Sequence, residues 1–332
     1  MIRFGYKASA EQFPPAELRN YSVRAEELGF DSVFVSDHFQ PWRHDGGHAP
    51  AALPWLGALA ARTERVLIGT SVLTPTFRYH PAVVAQAFAT LGCLAPGRVV
   101  LGVGSGESLN EVPLGIAWPD GKERFARLKE SVQLIKQLWT EDRVSFDGQF
   151  YRTELATIYD KPEQPVPIYI GASGPAATRL AGRVADGFIT TSGKGHDLYT
   201  GTLLPAVREG AEKAGRKLDE VDLMIEVKVS FDDDPERART DTQYWGALAL
   251  SPEEKTGVED PIEMQRRADA LPVERTVTRW ICSSDPEEHA ARVAEYLDMG
   301  FKHLVFHAPG PDQERFLTQY AAEVLPLLRA RG

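Results

Sequence analysis

The chain alternates between short apolar runs and longer segments whose apolar residues recur at helical spacing. The short runs predict buried strands, because parallel strands that are covered on both faces have no polar side. Several longer segments carry proline in the first turn or glycine after the last one, as is typical of helix ends. We predict strands at 2–8, 32–35, 65–73, 98–103, 167–170, 187–190, 223–231 and 303–307.

Helical segments separate these strands. A hairpin at 144–151, marked by Asp147-Gly148, interrupts the alternation, and a long helical excursion at 235–280 precedes the last strand. The alternation is typical of a parallel α/β protein, and the length suits a (β/α)8 TIM barrel with insertions. An open doubly wound sheet is the alternative. No linker, repeat or low-complexity tract is present, so we expect one domain over 1–332.

The composition limits the classes of function. A formal net charge of -10 argues against nucleic acid or an anionic membrane as the main partner, although a small anionic substrate stays possible. No apolar run is long enough to span a bilayer, and the first strand begins without a signal peptide. Cys93 and Cys282 lie among apolar residues, which predicts buried thiols in a reducing, cytoplasmic compartment.

The most informative polar stretch is Ser36-Asp37-His38-Phe39-Gln40-Pro41-Trp42, which follows the predicted strand 32–35. Pro41 stops the strand, so the polar residues leave it at its carboxyl end, where parallel sheets bind ligands. His38 can exchange a proton near neutral pH, Asp37 could orient a polar ligand, and Trp42 could cover a flat one. An ordinary strand exit is the alternative.

Other predicted strands end in the same way. Each polar residue taken singly could be a solvated loop residue or a helix cap. In a barrel, however, the carboxyl ends of the strands converge on one mouth, so the whole set predicts a site there. The residues that follow other strands are Glu11, Thr74, Glu107, Asn110, Ser173, Thr191 and Lys194.

Three further patterns are weaker. Residues 102–106 contain three glycines but lack the dinucleotide fingerprint, because position 107 is Glu; they could still admit a flat cofactor. Residues 171–175 lie at the start of a predicted helix. Their backbone amide groups could bind a phosphate, or the segment could be an ordinary helix N-terminus without a ligand. His38, His44 and His48 predict a solvated cluster, and we expect no metal.

Five blocks of sequence, at 5–13, 36–43, 69–79, 191–195 and 304–310, carry a resemblance that runs nearly end to end. They resemble the coenzyme F420-dependent glucose-6-phosphate dehydrogenases of the luciferase-like barrel superfamily. The resemblance implies transfer of a hydride from C1 of glucose 6-phosphate, or a related sugar 6-phosphate, to the deazaflavin coenzyme F420, giving 6-phosphogluconolactone. It also implies a homodimer.

The resemblance also implies roles for individual residues. It assigns catalysis to Glu11, His38, Trp42 and Glu107, and the sugar-phosphate site to Thr191, Lys194, Lys255 and Arg279. It assigns the coenzyme to Asp37, Ser71, Val72, Thr74, Gly106, Asn110, Ser173 and Gly174, with a cis-like bulge at Ser71–Val72 behind the ring.

The chemistry leaves several roles open. His38 is our candidate base, Glu11 is a second one, and Glu107 could protonate the reduced ring or tune its electronics. Trp42 would help to exclude water. From the residues alone, Lys255 and Arg279 could equally be surface charges. The alternatives to a dehydrogenase are a flavin-dependent luciferase-like monooxygenase and a non-catalytic deazaflavin-binding protein.

Overall fold

The computed structural model describes residues 2–331 of the chain. All strands that pair in ladders run parallel. The strands are β1 (Arg3–Ala8), β2 (Ser32–Val35), β3 (Leu67–Thr70), β4 (Val99–Val103), β5 (Ile168–Gly171), β6 (Gly187–Thr191), β7 (Asp222–Phe231), β8 (Ile281–Ser283) and β9 (His303–His307).

The sheet closes on itself. Its strand order is β6-β5-β4-β3-β2-β1-β9-β7, and β6 also pairs with β7. The predicted TIM barrel is therefore confirmed, and the open doubly wound sheet is wrong. The short strand β8 was not predicted. It pairs only with the second half of β7, outside the barrel ring, and it directly follows the excursion.

Helices lie between the strands, as the alternation in the sequence predicts. The last of them is interrupted by a π-helical segment at Tyr320–Val324. The excursion breaks into short helices, because prolines begin most of them. The α-helices are Pro15–Glu27, Ala52–Ala60, Pro81–Leu94, Ser108–Glu111, Gly121–Thr140, Pro175–Val184, His196–Leu198, Leu204–Lys213, Pro235–Thr240, Pro252–Lys255, Pro261–Asp269, Val273–Val277, Pro286–Asp298, Gln313–Gln319 and Leu325–Arg329.

Turn-like and bridged segments complete the chain. Short 3-10 segments lie at Val112–Leu114, Leu218–Glu220 and Asp241–Ala249, and a second π-helical segment lies at Tyr199–Leu203. Antiparallel bridges join Val144 to Ala156 and Asp147 to Arg152, which confirms the predicted hairpin.

The barrel interior is layered. At the amino ends of the strands, His303 lies between Ser32 Oγ, 2.8 Å from Nε2, and Asp222 Oδ2, 3.0 Å from Nδ1. An apolar layer closes the middle of the barrel, so a ligand can enter only at the carboxyl ends. The side chains of this apolar layer are Phe34, Val100, Tyr169, Ile189, Met224 and Val305.

The two cysteines are free thiols. Cys93 is exposed, so its predicted burial is wrong. It lies near the end of the helix Pro81–Leu94 on the side that faces away from the barrel, where apolar sequence neighbours do not cover it. Cys282 is partly buried. None of the helices within residues 2–331 combines the length and the apolar character that a bilayer crossing requires.

Candidate active site

A cavity of about 640 Å³ opens at the carboxyl ends of the barrel strands. Every site residue that the sequence predicted lines this one cavity, although their positions span most of the chain. These residues are Glu11, Asp37, His38, Trp42, Ser71, Val72, Thr74, Gly106, Glu107, Asn110, Ser173, Gly174, Thr191, Lys194, Lys255 and Arg279.

His38 lies between two carboxylates. Its Nε2 atom is 3.3 Å from Glu11 Oε1 and 3.5 Å from Glu107 Oε2, while its Nδ1 atom is 3.2 Å from the carbonyl oxygen of Gln40. A carbonyl can only accept, so it favours a proton on Nδ1 and leaves Nε2 free to take one. The two carboxylates would then stabilise the imidazolium that forms.

Glu11 is buried, whereas Glu107 is exposed at the cavity rim. Burial opposes ionisation of Glu11, but His38, Lys7 and a 2.5 Å hydrogen bond from Ser36 Oγ outweigh it and lower the pKa of Glu11. Glu11 is therefore a poor proton acceptor at neutral pH and a good partner for a positive charge on His38. This geometry ranks His38 ahead of Glu11 as the base.

Trp42 covers the histidine. Its ring centroid lies 5.8 Å from that of His38, and Lys255 Nζ lies 5.4 Å from the Trp42 ring centroid on the ring face. A cation over an indole face is attracted by its quadrupole. Trp42 therefore connects His38 to a residue of the helical excursion.

Asp37 is buried and already paired. Its Oδ2 atom accepts a 2.6 Å hydrogen bond from Arg78 Nη2, and its Oδ1 atom accepts bonds from the Ala52 amide and the Tyr79 hydroxyl. Arg78 also pairs with the buried Glu111. The sequence analysis assigned no role to Arg78, although the residue lies within the block 69–79 that carries the family resemblance. A coenzyme donor that binds Asp37 would therefore share its carboxylate with Arg78 and Tyr79.

Asn110 holds the loop that carries His38. Its Oδ1 atom accepts hydrogen bonds from the backbone amides of Phe39, at 2.8 Å, and Gln40, at 3.3 Å. Its Nδ2 atom lies 3.4 Å from His38 Nδ1. Asn110 thus fixes the backbone of the loop that carries His38 and lines the cavity, although its Nδ2 donor makes no hydrogen bond to a protonated Nδ1.

One wall of the cavity fits a flat ring. The Ser71–Val72 peptide bond is cis, as expected from the resemblance, and Lys7 Nζ binds both Ser71 O and Ser71 Oγ at 2.7 Å. A Cβ atom at Gly104 would lie 2.6 Å from Val72 Cγ2. Gly106 has φ +86°. Both positions therefore require glycine. Because these residues have no side chains, a flat ring can lie directly against their backbone.

The same wall continues to the start of the helix Pro175–Val184. Gly174 is the N-cap and provides no side-chain cap, and Ala176 and Ala177 of the first turn line the cavity. Free amide groups at a helix N-terminus suit an anionic group such as the phosphodiester of a coenzyme. The wall therefore fits both the ring and the charge of F420.

Three cations and a hydroxyl lie in the same cavity. Lys255 and Arg279, which could have been surface charges, are partly buried and face Lys194 and Thr191. Burial and, after it, repulsion by Arg279 lower the pKa of Lys194, although solvent still reaches its side chain. Burial also lowers the pKa of Lys255. Arg279 Nη1 donates to the Gly193 carbonyl at 2.5 Å. Their mutual repulsion is relieved by an anion.

The structure also places four charged or polar residues in the cavity that the sequence reasoning missed. Lys7 Nζ lies 3.0 Å from Glu226 Oε2, and Lys228 and His307 lie beside them. Burial opposes ionisation of Glu226, yet Lys7 and the neighbouring groups hold its pKa well below the ordinary value. Glu226 and Lys228 could have been found from the sequence, because they are two charged residues, two positions apart, in the largely apolar strand at 222–231.

Comparison with known proteins identifies the class first. Residues 1–303 match the model of the luciferase-like monooxygenase family. A protein of Nakamurella multipartita described as an F420-dependent glucose-6-phosphate dehydrogenase is 72% identical over 329 residues, covering 99% of this chain and 97% of that protein. A protein of Beutenbergia cavernae with the same description is 69% identical over 331 residues, covering 100% and 98%.

Solved structures agree. An F420-dependent secondary alcohol dehydrogenase in complex with an F420-acetone adduct superposes with a TM-score of 0.93 at 33% identity, covering 99% of each chain. The tetrahydromethanopterin reductase of Methanopyrus kandleri superposes with a TM-score of 0.83 at 23% identity, covering 98% of this chain and 99% of that one, which supports the fold alone. The chain belongs to the luciferase-like family and, within it, to the F420-dependent glucose-6-phosphate dehydrogenases.

Proposed function

We propose that the protein oxidises C1 of glucose 6-phosphate and transfers the hydride to coenzyme F420. The observation that carries the proposal is the position of His38 Nε2 between Glu11 and Glu107, in the same cavity as Lys194, Lys255 and Arg279. A proton acceptor and a separate group of cations in one cavity suit a substrate with a carbinol at one end and a phosphate at the other. The family membership supports the same reaction.

The coenzyme would lie against the wall formed by Val72, Gly104 and Gly106, with its phosphodiester at the start of the helix Pro175–Val184. When bound, F420 supplies a ring carbon that accepts a hydride. Thr74 and Asp37 lie near this wall as further polar contacts, and Ser173 lies at the rim. The open glycine backbone lets a flat ring approach closely.

The chain itself handles the proton. His38 Nε2 takes the proton of the C1 hydroxyl, the Gln40 carbonyl holds Nδ1–H, and Glu11 stabilises the resulting imidazolium. Trp42 shields this transfer from water. Glu107, which is exposed and lies 3.5 Å from His38 Nε2, can receive the proton next and pass it to solvent or to another acceptor.

Thr191, Lys194, Lys255 and Arg279 would anchor the phosphate. Charge-assisted hydrogen bonds are stronger than neutral ones, and an anchor remote from C1 can contribute binding energy to orientation of the reacting carbon. The helical excursion supplies two of these cations, so it forms part of the substrate site rather than a separate module.

A coenzyme exchange experiment tests the proposal. The purified protein is titrated with F420 and with FMN, and binding is followed by fluorescence; the loss of the F420 absorbance is then followed with glucose 6-phosphate added. We expect F420 binding and sugar-phosphate-dependent reduction. Preferential FMN binding would favour a monooxygenase, and F420 binding without turnover on any sugar 6-phosphate would favour a binding protein.

We also propose that the protein acts in the cytoplasm as a homodimer, as the resemblance implies. Light scattering coupled to size-exclusion chromatography measures the mass in solution against the 36.7 kDa chain. Fractionation of cells that produce the protein measures where it resides. A monomer, or a fraction outside the cytoplasm, would contradict these two expectations.

A further inference from the structure

Two buried polar side chains lie next to each other at the top of the barrel. Lys228 of β7 and His307 of β9 are partners in the parallel register, and each is 3% exposed. Both line the cavity. Neither ring nitrogen of His307 has a hydrogen-bond partner within residues 2–331, and its Nδ1 atom is 3.6 Å from Glu226 Oε1.

Lys228 is also left without a close partner for its ammonium group. Its backbone amide binds Ser192 Oγ at 2.8 Å, but no hydrogen bond or ion pair of Lys228 Nζ is formed in the described part of the chain. Glu226, two residues away, is paired with Lys7 instead. Burial lowers the pKa of Lys228 to about 8, against the attraction of Glu226 and with the repulsion of Arg279.

Such groups normally have partners. Buried polar atoms in proteins are almost always hydrogen-bonded, and a buried cation without a partner is costly. Here the ammonium group of Lys228 has no partner within residues 2–331 and lines the open cavity, so a polar ligand there would satisfy it. The ring nitrogens of His307 are buried too deeply for a ligand to reach, and burial lowers the pKa of His307, which keeps its ring neutral beside Lys228.

The order of strands around the barrel says which part of a ligand they would meet. Thr191 and Lys194 follow β6, while Glu11 and His38 follow β1 and β2. On one side of the ring, β7 and β9 lie between these two groups; on the other side lie β3, β4 and β5, which carry the wall proposed for the coenzyme. A substrate that reaches from the anion site to His38 therefore passes over Lys228 and His307.

Resting on the proposed function, we propose that Lys228 binds a ring hydroxyl group of the sugar and thereby selects among sugar 6-phosphates. The ammonium group of Lys228 donates to the hydroxyl oxygen, and the buried, neutral ring of His307 lies beside it. The rings of Trp245 and Trp280, with centroids 4.5 and 5.1 Å from that of His307, contact it edge to face and keep its orientation. A site built to bond a hydroxyl strongly rejects the analogue that lacks it.

The first test uses the unmodified protein with F420. Glucose 6-phosphate is compared with its 2-deoxy, 3-deoxy and 4-deoxy analogues, all of which keep the reacting C1 and the phosphate. We expect at least one analogue to lose roughly tenfold or more in kcat/KM. Equal kcat/KM across the panel overturns the proposal. A failure to turn over glucose 6-phosphate at all overturns the proposed function instead.

The second test assigns the contact with the variant Lys228→Met. It should lower kcat/KM for glucose 6-phosphate about tenfold or more and abolish the preference over the deoxy analogue whose hydroxyl Lys228 binds. Lys302→Met, which alters an exposed lysine just before β9, is the matched control and should change neither quantity. F420 affinity, measured by fluorescence, should stay unchanged in both variants.

Two results would contradict the assignment. A variant that keeps the full preference against every deoxy analogue has lost no hydroxyl contact. A penalty for Lys228→Met that vanishes with unphosphorylated glucose places Lys228 on the phosphate rather than on the ring. If Lys228→Met fails to bind F420, Lys228→Arg replaces it, and the analogue panel on the unmodified protein stands independently.

Discussion

The Nε2 atom of His38 and the Oε1 atom of Glu11 lie 3.3 Å apart, which brings together two residues from the ends of β2 and β1. The two strands are parallel neighbours, so the residues that follow them share one edge of the barrel. The pair combines an imidazole that can take a proton with a buried carboxylate of lowered pKa that stabilises the product charge.

Replacing His38 by Ala should remove most turnover while F420 affinity stays unchanged, because the imidazole acts on the substrate proton. Loss of a general base typically costs on the order of 10²–10⁴ in rate. Turnover and a fluorescence titration with F420 measure the two effects. His44→Ala, in the same loop but exposed, is the control. Near-normal turnover in His38→Ala would transfer the base role to Glu11.

Replacing Asp37 by Ala should weaken F420 binding, because the resemblance assigns Asp37 to the coenzyme and the residue lines the same cavity as the wall proposed for the coenzyme. The same change leaves Arg78 without its 2.6 Å partner, so some loss of stability should accompany it; breaking a buried ion pair costs about 3–5 kcal/mol. Titration at a temperature well below the melting point separates the two effects. Unchanged affinity would remove Asp37 from the coenzyme site.

Replacing Lys194, Lys255 or Arg279 by Ala should raise KM for glucose 6-phosphate about tenfold or more, since each charge-assisted contact contributes roughly 1.5–3 kcal/mol. The penalty should nearly vanish with unphosphorylated glucose, and F420 affinity should not change. Lys217→Ala, at an exposed lysine, is the matched control. Equal penalties for glucose and its 6-phosphate would contradict the phosphate assignment.

Replacing Glu26 by Ala should destabilise the fold by at least about 2 kcal/mol, because its buried carboxylate accepts hydrogen bonds from the amides of Glu64, Arg65 and Val66 before β3. Glu27→Ala, at an exposed neighbour, should have little effect. Thermal unfolding followed by circular dichroism measures both. A melting temperature equal to that of the unmodified protein would mean that water replaces the carboxylate.

The same residue predicts a pH dependence. Burial opposes ionisation of Glu26, but its three backbone donors lower the pKa below the ordinary 4.5. A lowered pKa contributes stability that is present above pH 4.5 and is lost as the pH falls through the folded value. The difference in melting temperature between the unmodified protein and Glu26→Ala should therefore narrow on acidification below that pH. A constant difference down to pH 3 would contradict the linkage.

The sequence by itself determined the order of the elements and the edge at which the site lies. Apolar runs such as 32–35 and the prolines that begin helices are local signals, because strand and helix periodicity depend on neighbouring residues. His38 and Glu11 could be placed at one mouth because carboxyl ends of parallel strands meet there. The length of the chain then favoured a closed barrel, which the pairing of β6 with β7 confirmed.

Only the tertiary structure decided which side chains pair and which stay free. Arg78 pairs with Asp37, and Lys7 pairs with Glu226, whereas the ammonium group of Lys228 in the cavity has no partner within residues 2–331. Pairing of charges depends on distances of a few ångströms between residues far apart in sequence, which no local pattern encodes. The pattern of apolar and polar residues therefore determined where a site could form, and the closed barrel decided which of its groups remain available to a ligand.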